Sequence, residues 1–125
     1  MTVLQVALGG AIGAALRWWL AGAVTRWAGP GFPWGTFAVN VVGALVMGVA
    51  AAVMMERLPG AWGRFAPFLM TGVLGGFTTF SAFSLEALFL IERGRHAAAA
   101  AYMGGSVLAC VLALWLGLTL VRGAV

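Results

Sequence analysis

Apolar residues run along this chain in four long blocks, at about residues 3–24, 35–55, 65–91 and 97–121. No block contains more than one charged side chain: Arg17 in the first and Glu86 in the third. A helix needs about 20 mostly apolar residues to cross the hydrocarbon core, so each block predicts one spanning helix. The connectors AGPGFPW, ERLPGAWGR and ERGRH carry the proline, glycine and charge of loops, with Pro30, Pro33 and Pro59 as breakers. Trp18, Trp19, Trp27, Trp34 and Trp62 fall near block ends or in connectors, where interfacial aromatic anchors belong. The opening MTVLQVALGG has no basic n-region, so it reads as the start of a mature spanning helix. No internal repeat is visible, so the chain holds no inverted pair of halves. The expectation is an all-α membrane protein, one transmembrane domain over residues 1–125.

Composition supports the pattern and removes function classes. The 125 residues are 63% hydrophobic and 8% charged, with a mean hydropathy of +1.05; a soluble domain carries about a quarter charged residues. One histidine (His96), one cysteine (Cys110) and no aspartate build neither a metal cluster nor a Ser-His-Asp triad, so an enzyme is not expected. Cys110 reads as a small buried hydrophobe, and His96 as a solvated loop residue beside Arg93 and Arg95. The seven basic residues are all arginine and are scattered, which excludes the basic stripe of a nucleic-acid surface.

Their distribution also bears on orientation. In an up-and-down arrangement the N-terminus, second connector and C-terminal tail share one face, with Arg57, Arg64 and Arg122. The first and third connectors share the other, with Arg26, Arg93 and Arg95. Loop arginine bias sets orientation, and here the two faces balance. The expectation is a dual-topology protein whose two orientations pair as an antiparallel homodimer.

The third block is unlike the others. Its midpoint is Thr78, inside the run GGFTTFSAFS at residues 75–84. Glycines and paired β-branched hydroxyl residues weaken a helix, so a break is predicted near residues 75–79, at the bilayer midplane. Non-helical backbone at that depth survives only against protein or a water-filled cavity. Its freed carbonyls can coordinate a cation, and the next half-helix N-terminus favours an anion. The glycines have a simpler explanation: Gly72-x-x-x-Gly76 and Gly9-x-x-x-Gly13 are small-xxx-small patterns that let helices approach, and packing is preferred for them. Phe80 and Phe83 share a helical face. A phenylalanine ring in a membrane usually faces lipid or fills a gap; turned edge-on, its positive rim can favour an anion.

GGFTTFSAFSLE resembles the signature of the Fluc (CrcB) family of fluoride channels, usually GG-x-TTFSTFS-x-E. The likeness extends to GGAIGAALRW in the first block, GTFAVNVVGALVMG in the second and Tyr102-x-x-x-Ser106 in the fourth, and covers essentially the full chain. Ala82 stands where threonine is common and cannot donate a hydrogen bond. The resemblance implies an antiparallel dual-topology homodimer in the cell membrane, with two fluoride pores and passive efflux of the anion. It implies that Phe80 and Phe83 line the anion path, that the Asn40 amide donates to fluoride, and that Tyr102 and Ser106 line the route. It further implies that the carbonyls of Gly75 and Thr78, from both copies, cage a structural sodium ion at the dimer centre.

Helix arithmetic agrees in part. At 1.5 Å per residue, Asn40 and Tyr102 lie about 8 Å inside one face, and Ser106 and Phe83 about 12–14 Å inside it. The polar groups therefore line one half of the membrane, and an inverted copy supplies the other. Fluoride accepts hydrogen bonds only, and Asn40, Ser106 and Tyr102 each offer a donor. Arg17 and Glu86, the ionisable residues within blocks, fall at similar depth, and a salt bridge between them, or Arg17 snorkelling to the near face, is expected because unpaired charge there is costly; the functional alternative is that Arg17 draws anions into a vestibule. The competing function is a proton-coupled, dual-topology exporter of the small multidrug type using Glu86. It is disfavoured because the first block lacks a carboxylate and Glu86 lies toward the end of its helix.

Overall fold

The computed structural model describes residues 2–57, 60 and 62–123. Helix α1 spans Thr2–Ala28, and α2 spans Trp34–Ala52 and continues as a π-helix over Val53–Arg57. Helix α3 occupies residues 62–77: an α-helical turn, Trp62–Ala66, a π-helical stretch, Pro67–Leu74, and a final α-turn, Gly75–Phe77. Helices α4 (Phe80–Glu92) and α5 (His96–Arg122) complete the chain. The four segments long and apolar enough to span a bilayer are Thr2–Ala28, Trp34–Arg57, Arg64–Glu92 and His96–Arg122. Each of them contains one of the four apolar blocks. The turn assigned to Pro59 lies outside the described residues.

Glycine sets the sharp stops at one face. Gly29 follows α1 with φ +88° and donates to Thr25 O at 2.8 Å. Gly94 follows α4 with φ +75°, its N–H on Ile91 O at 3.0 Å and that of Arg95 on Leu90 O at 2.9 Å. This pair of bonds is the Schellman arrangement, which reverses the chain within three residues.

Two helix pairs make most of the packing, α2 with α5 and α1 with α3. Both rest on bare backbone. A Cβ on Gly72 would lie 2.9 Å from Gly9 Cα, and one on Gly76 would lie 3.1 Å from Gly10 Cα. Gly13 likewise packs against the α3 backbone at Val73 and Phe77. The packing role preferred for these glycines therefore holds. Between α2 and α5 the same part is played by Gly48 and Gly117, where a Cβ on Gly48 would sit 3.1 Å from Gly117 Cα. With lipid on both sides there is little hydrophobic drive between helices, so close van der Waals contact does the work.

The ends are pinned as the up-and-down arrangement requires. On one face the Arg95 guanidinium donates to Gly31 O, joining the first and third connectors. On the other, Arg122 pairs with Glu56, Arg57 donates to Val121 O at 2.7 Å, and Gln5 donates to Arg64 O at 3.4 Å. Outward faces carry large apolar residues in the open, among them Trp18, Leu108, Val111 and Trp115, as a lipid-bathed bundle should.

The interruption in the third span is narrower than the predicted 75–79. Gly75, Gly76 and Phe77 remain helical. Only Thr78 (φ −85°, ψ 156°) and Thr79 (φ −149°, ψ 121°) are extended. Two consecutive β-branched residues prefer that backbone, so the threonines make the break.

Candidate functional site

The break is held by a side chain from another helix. Asn40 of α2 accepts from Thr79 N–H at 2.8 Å and donates through Nδ2 to Thr79 O at 3.0 Å. Its amide thus pairs with Thr79 as a neighbouring β-strand would, satisfying both backbone groups of one extended residue. Thr79 is also the N-cap of α4, its Oγ1 accepting from Ala82 N–H at 3.2 Å. Ala82 therefore contributes through its backbone, which a threonine would do equally. The sequence signal for this cap was present, a threonine directly before an apolar helical run, but the clamp by Asn40 spans 39 residues and has no local signature.

These diversions free carbonyls. The helical partner of Gly75 O is Thr79 N–H, which has gone to Asn40. The helical partner of Thr78 O is Ala82 N–H, which has gone to Thr79 Oγ1. Thr78 itself turns back, with N–H and Oγ1 both on Leu74 O at 3.1 and 3.0 Å. Gly76 O, whose helical partner would be the N–H of Phe80 beyond the break, accepts from Arg17 Nε at 3.0 Å.

That last bond corrects the expected Arg17–Glu86 salt bridge. The two side chains border one cavity of about 480 Å³, with Thr36, Thr79 and Ala82 also on its wall. They do not pair there: among the described residues the ion pair formed is Arg122–Glu56. The break presents Arg17 with a carbonyl nearer than the carboxylate. Glu86 Oε1 instead accepts from Tyr102 O–H at 3.0 Å.

Four of the expected path residues meet on a separate groove. It holds about 370 Å³ and is walled by Asn40, Phe80, Phe83 and Ser106, with Thr78 and Thr79 at the break itself. Phe80 and Phe83 stand 5.4 Å apart between centroids, and Phe80 is 78% exposed. Ser106 is 5% exposed, and its Oγ has no hydrogen-bond partner among the described residues. A buried hydroxyl without a partner is uncommon and asks for an explanation. Asn40 keeps one Nδ2–H beyond its bond to Thr79. Tyr102 is placed otherwise than expected. Its side chain is fully buried, it packs behind Phe83 at 5.0 Å and against Phe32 at 5.4 Å, and it does not reach the groove. Its hydroxyl is already committed to Glu86.

Residues 4–118 match the model of the family described as CrcB-like protein, Camphor Resistance (CrcB). The chain is 52% identical over 122 residues to a fluoride-specific ion channel FluC of Cereibacter sphaeroides, covering 98% of this chain and 95% of that protein. It is 51% identical over 125 residues to the FluC of Paracoccus denitrificans, covering 98% and 95%. With the FluC of Novosphingobium aromaticivorans the identity is 53% over 120 residues, covering 94% of each chain.

Proposed function

Because the chain belongs to the CrcB/FluC family, we propose that it is a fluoride channel of the cell membrane. It lets fluoride leave the cytoplasm passively, along the groove between α2, α4 and α5. Four long apolar helices make it a membrane protein, and its family is one of ion channels rather than enzymes.

The observation that carries the reading is the unpartnered Ser106 hydroxyl on the same groove as the spare Asn40 N–H and two phenylalanines. Fluoride is small and strongly hydrated, so a path must offer donors where water is lost. It must also avoid holding the ion too tightly. Two neutral donors and the positive rims of Phe80 and Phe83 meet both needs without a fixed charge on the groove. Tyr102 acts from behind, fixing Phe83 and orienting Glu86.

The functional unit is an antiparallel homodimer with two pores. Balanced loop arginines support it, and so does Gly75. That residue is exposed, and a Cβ there would meet nothing nearer than Met70 O at 3.5 Å. Gly72 and Gly76 are glycine because α1 presses on them; Gly75 has no such reason among the described residues of one copy. A second copy crossing there supplies one. The freed carbonyls of Gly75 and Thr78 would then hold a structural sodium ion, a hard cation suited to backbone oxygens, with the inverted copy completing its shell. Sodium would supply charge that ties the two breaks together.

Purified protein in liposomes, followed with a fluoride electrode, tests the function. Expected is voltage-driven efflux with no proton gradient, and slower efflux in Ser106→Ala. Efflux that needs an imposed proton gradient would refute the channel and restore the exporter.

A further inference from the structure

The groove continues one helical turn past Ser106, to Cys110. Residues four apart on a helix share a face, and Cys110 lies on the same wall as Ser106, with Gly43, Met47 and Leu114 around it. Its neighbours Leu108, Val111 and Leu112 are exposed on the outside of α5, whereas Cys110 is half-buried toward the groove. The thiol is unbonded to any other cysteine, since it is the single one in the chain. A free cysteine alone signifies only a small hydrophobe. Here a second fact stands beside it: Ser106, on the same wall, has a buried hydroxyl with no partner among the described residues, a donor left for a ligand to meet.

We propose that the Cys110 thiol faces the conducting groove and is a covalent capture site for small thiophilic electrophiles, of which mercuric salts are the simplest, and that capture closes the path. This rests on the reading of the groove as the fluoride path. The chemistry is a ligand exchange without redox change. The sulfur lone pair of Cys110 forms an S–Hg bond to neutral HgCl₂, chloride leaves with the electron pair of the broken Hg–Cl bond, and the thiol proton passes to water. The product, Sγ–Hg–Cl, places a rigid linear group beside Ser106. Every copy carries one such site, so block should be all-or-none per path.

The test uses the full-length protein in liposomes, with wild type, Cys110→Ser and Cys110→Ala in parallel. Mercury incorporation is read by intact mass and fluoride efflux by electrode, each variant normalised to its own untreated rate. Expected is one mercury per wild-type chain and a fall in efflux of roughly tenfold or more, as for an obstruction inside a narrow path. Dithiothreitol should restore efflux, and both variants should be insensitive. Equal block of the Cys110 variants would overturn the proposal, as would mercury on Cys110 with efflux unchanged. Failure of Cys110 to take up mercury would also overturn it, by showing that the thiol does not open on the groove. Absence of fluoride efflux from untreated wild type is a different failure, that of the channel reading, and is seen before mercury is added.

Discussion

Replacing Asn40 by leucine isolates the clamp on the break. Leucine keeps the same branched skeleton, with bulkier methyls where asparagine has oxygen and nitrogen, so the change removes hydrogen bonds without leaving a gap. The structure assigns Asn40 two of them, Thr79 N–H to Oδ1 at 2.8 Å and Nδ2 to Thr79 O at 3.0 Å. Both belong to extended backbone inside a spanning segment, where the φ and ψ of Thr78 and Thr79 take Thr79 out of the helical ladder. Leaving a buried donor or acceptor unmade costs about 1–3 kcal/mol, so two give about 2–6 kcal/mol; half-burial favours the lower part of that range. Reversible unfolding in mixed micelles should therefore show Asn40→Leu less stable by about 2–4 kcal/mol. Fluoride efflux per folded protein should also fall, because the spare Nδ2–H leaves with the clamp. A stability loss below about 1 kcal/mol would mean that groove water replaces both bonds. The inference that Asn40 holds the break would then be wrong, whatever happened to transport.

Other substitutions test separate parts. Gly72→Ala should destabilise by about 1–3 kcal/mol through overpacking, because its Cβ would sit 2.9 Å from Gly9 Cα; Gly10→Ala, with open space around it, should be near neutral in the same unfolding assay. Gly75→Ala should leave the unfolding of one protomer unchanged yet shift the dimer toward monomer in detergent by cross-linking; an unshifted dimer would remove Gly75 from the proposed centre. The double exchange Arg17→Glu with Glu86→Arg should not recover assembly lost in the single variants, since Arg17 holds Gly76 O; recovery would reinstate the salt bridge. Glu86→Gln retains an acceptor for Tyr102 and should carry fluoride without a proton gradient, measured by the liposome electrode assay.

The spans were legible because bilayer thickness imposes one length on every apolar block, and the connectors because proline, glycine and charge collect there; that Gly29 and Gly94 make the stops, through a positive φ few other residues accept, came from the structure. The α1–α3 seam was legible too: Gly9, Gly13, Gly72 and Gly76 lie at the spacing that exposes backbone along one helical face. What escaped had partners that the fold creates. Arg17 was matched to the one carboxylate at its depth, but its acceptor is a backbone carbonyl that exists only once the Thr78–Thr79 break has released it. Asn40 was read as a donor to a ligand, and half of its capacity goes to Thr79. Tyr102 was placed on the path by the family resemblance, with which its depth from helix rise agreed; its direction, behind Phe83 and onto Glu86, depends on packing between α4 and α5. Depth is a one-dimensional quantity, and it does not tell a wall from what supports the wall.

The break and the groove are one device. Thr79 supplies the extended backbone, Asn40 bonds to it, and that bond leaves Asn40 at the groove with one donor to spare. The same bond removes from Gly75 O the amide that an unbroken helix would give it. The spare donor on the groove and the amide lost to Gly75 O thus both follow from the clamp of Asn40 on Thr79. If the proposed antiparallel pair forms, the two-fold relation places a second such bond beside the first. Anion donors and cation acceptors would then be coupled through Thr79, and anything that loosens the central sodium should also misplace Asn40. Sodium removal would on this argument slow fluoride efflux without any change on the groove wall.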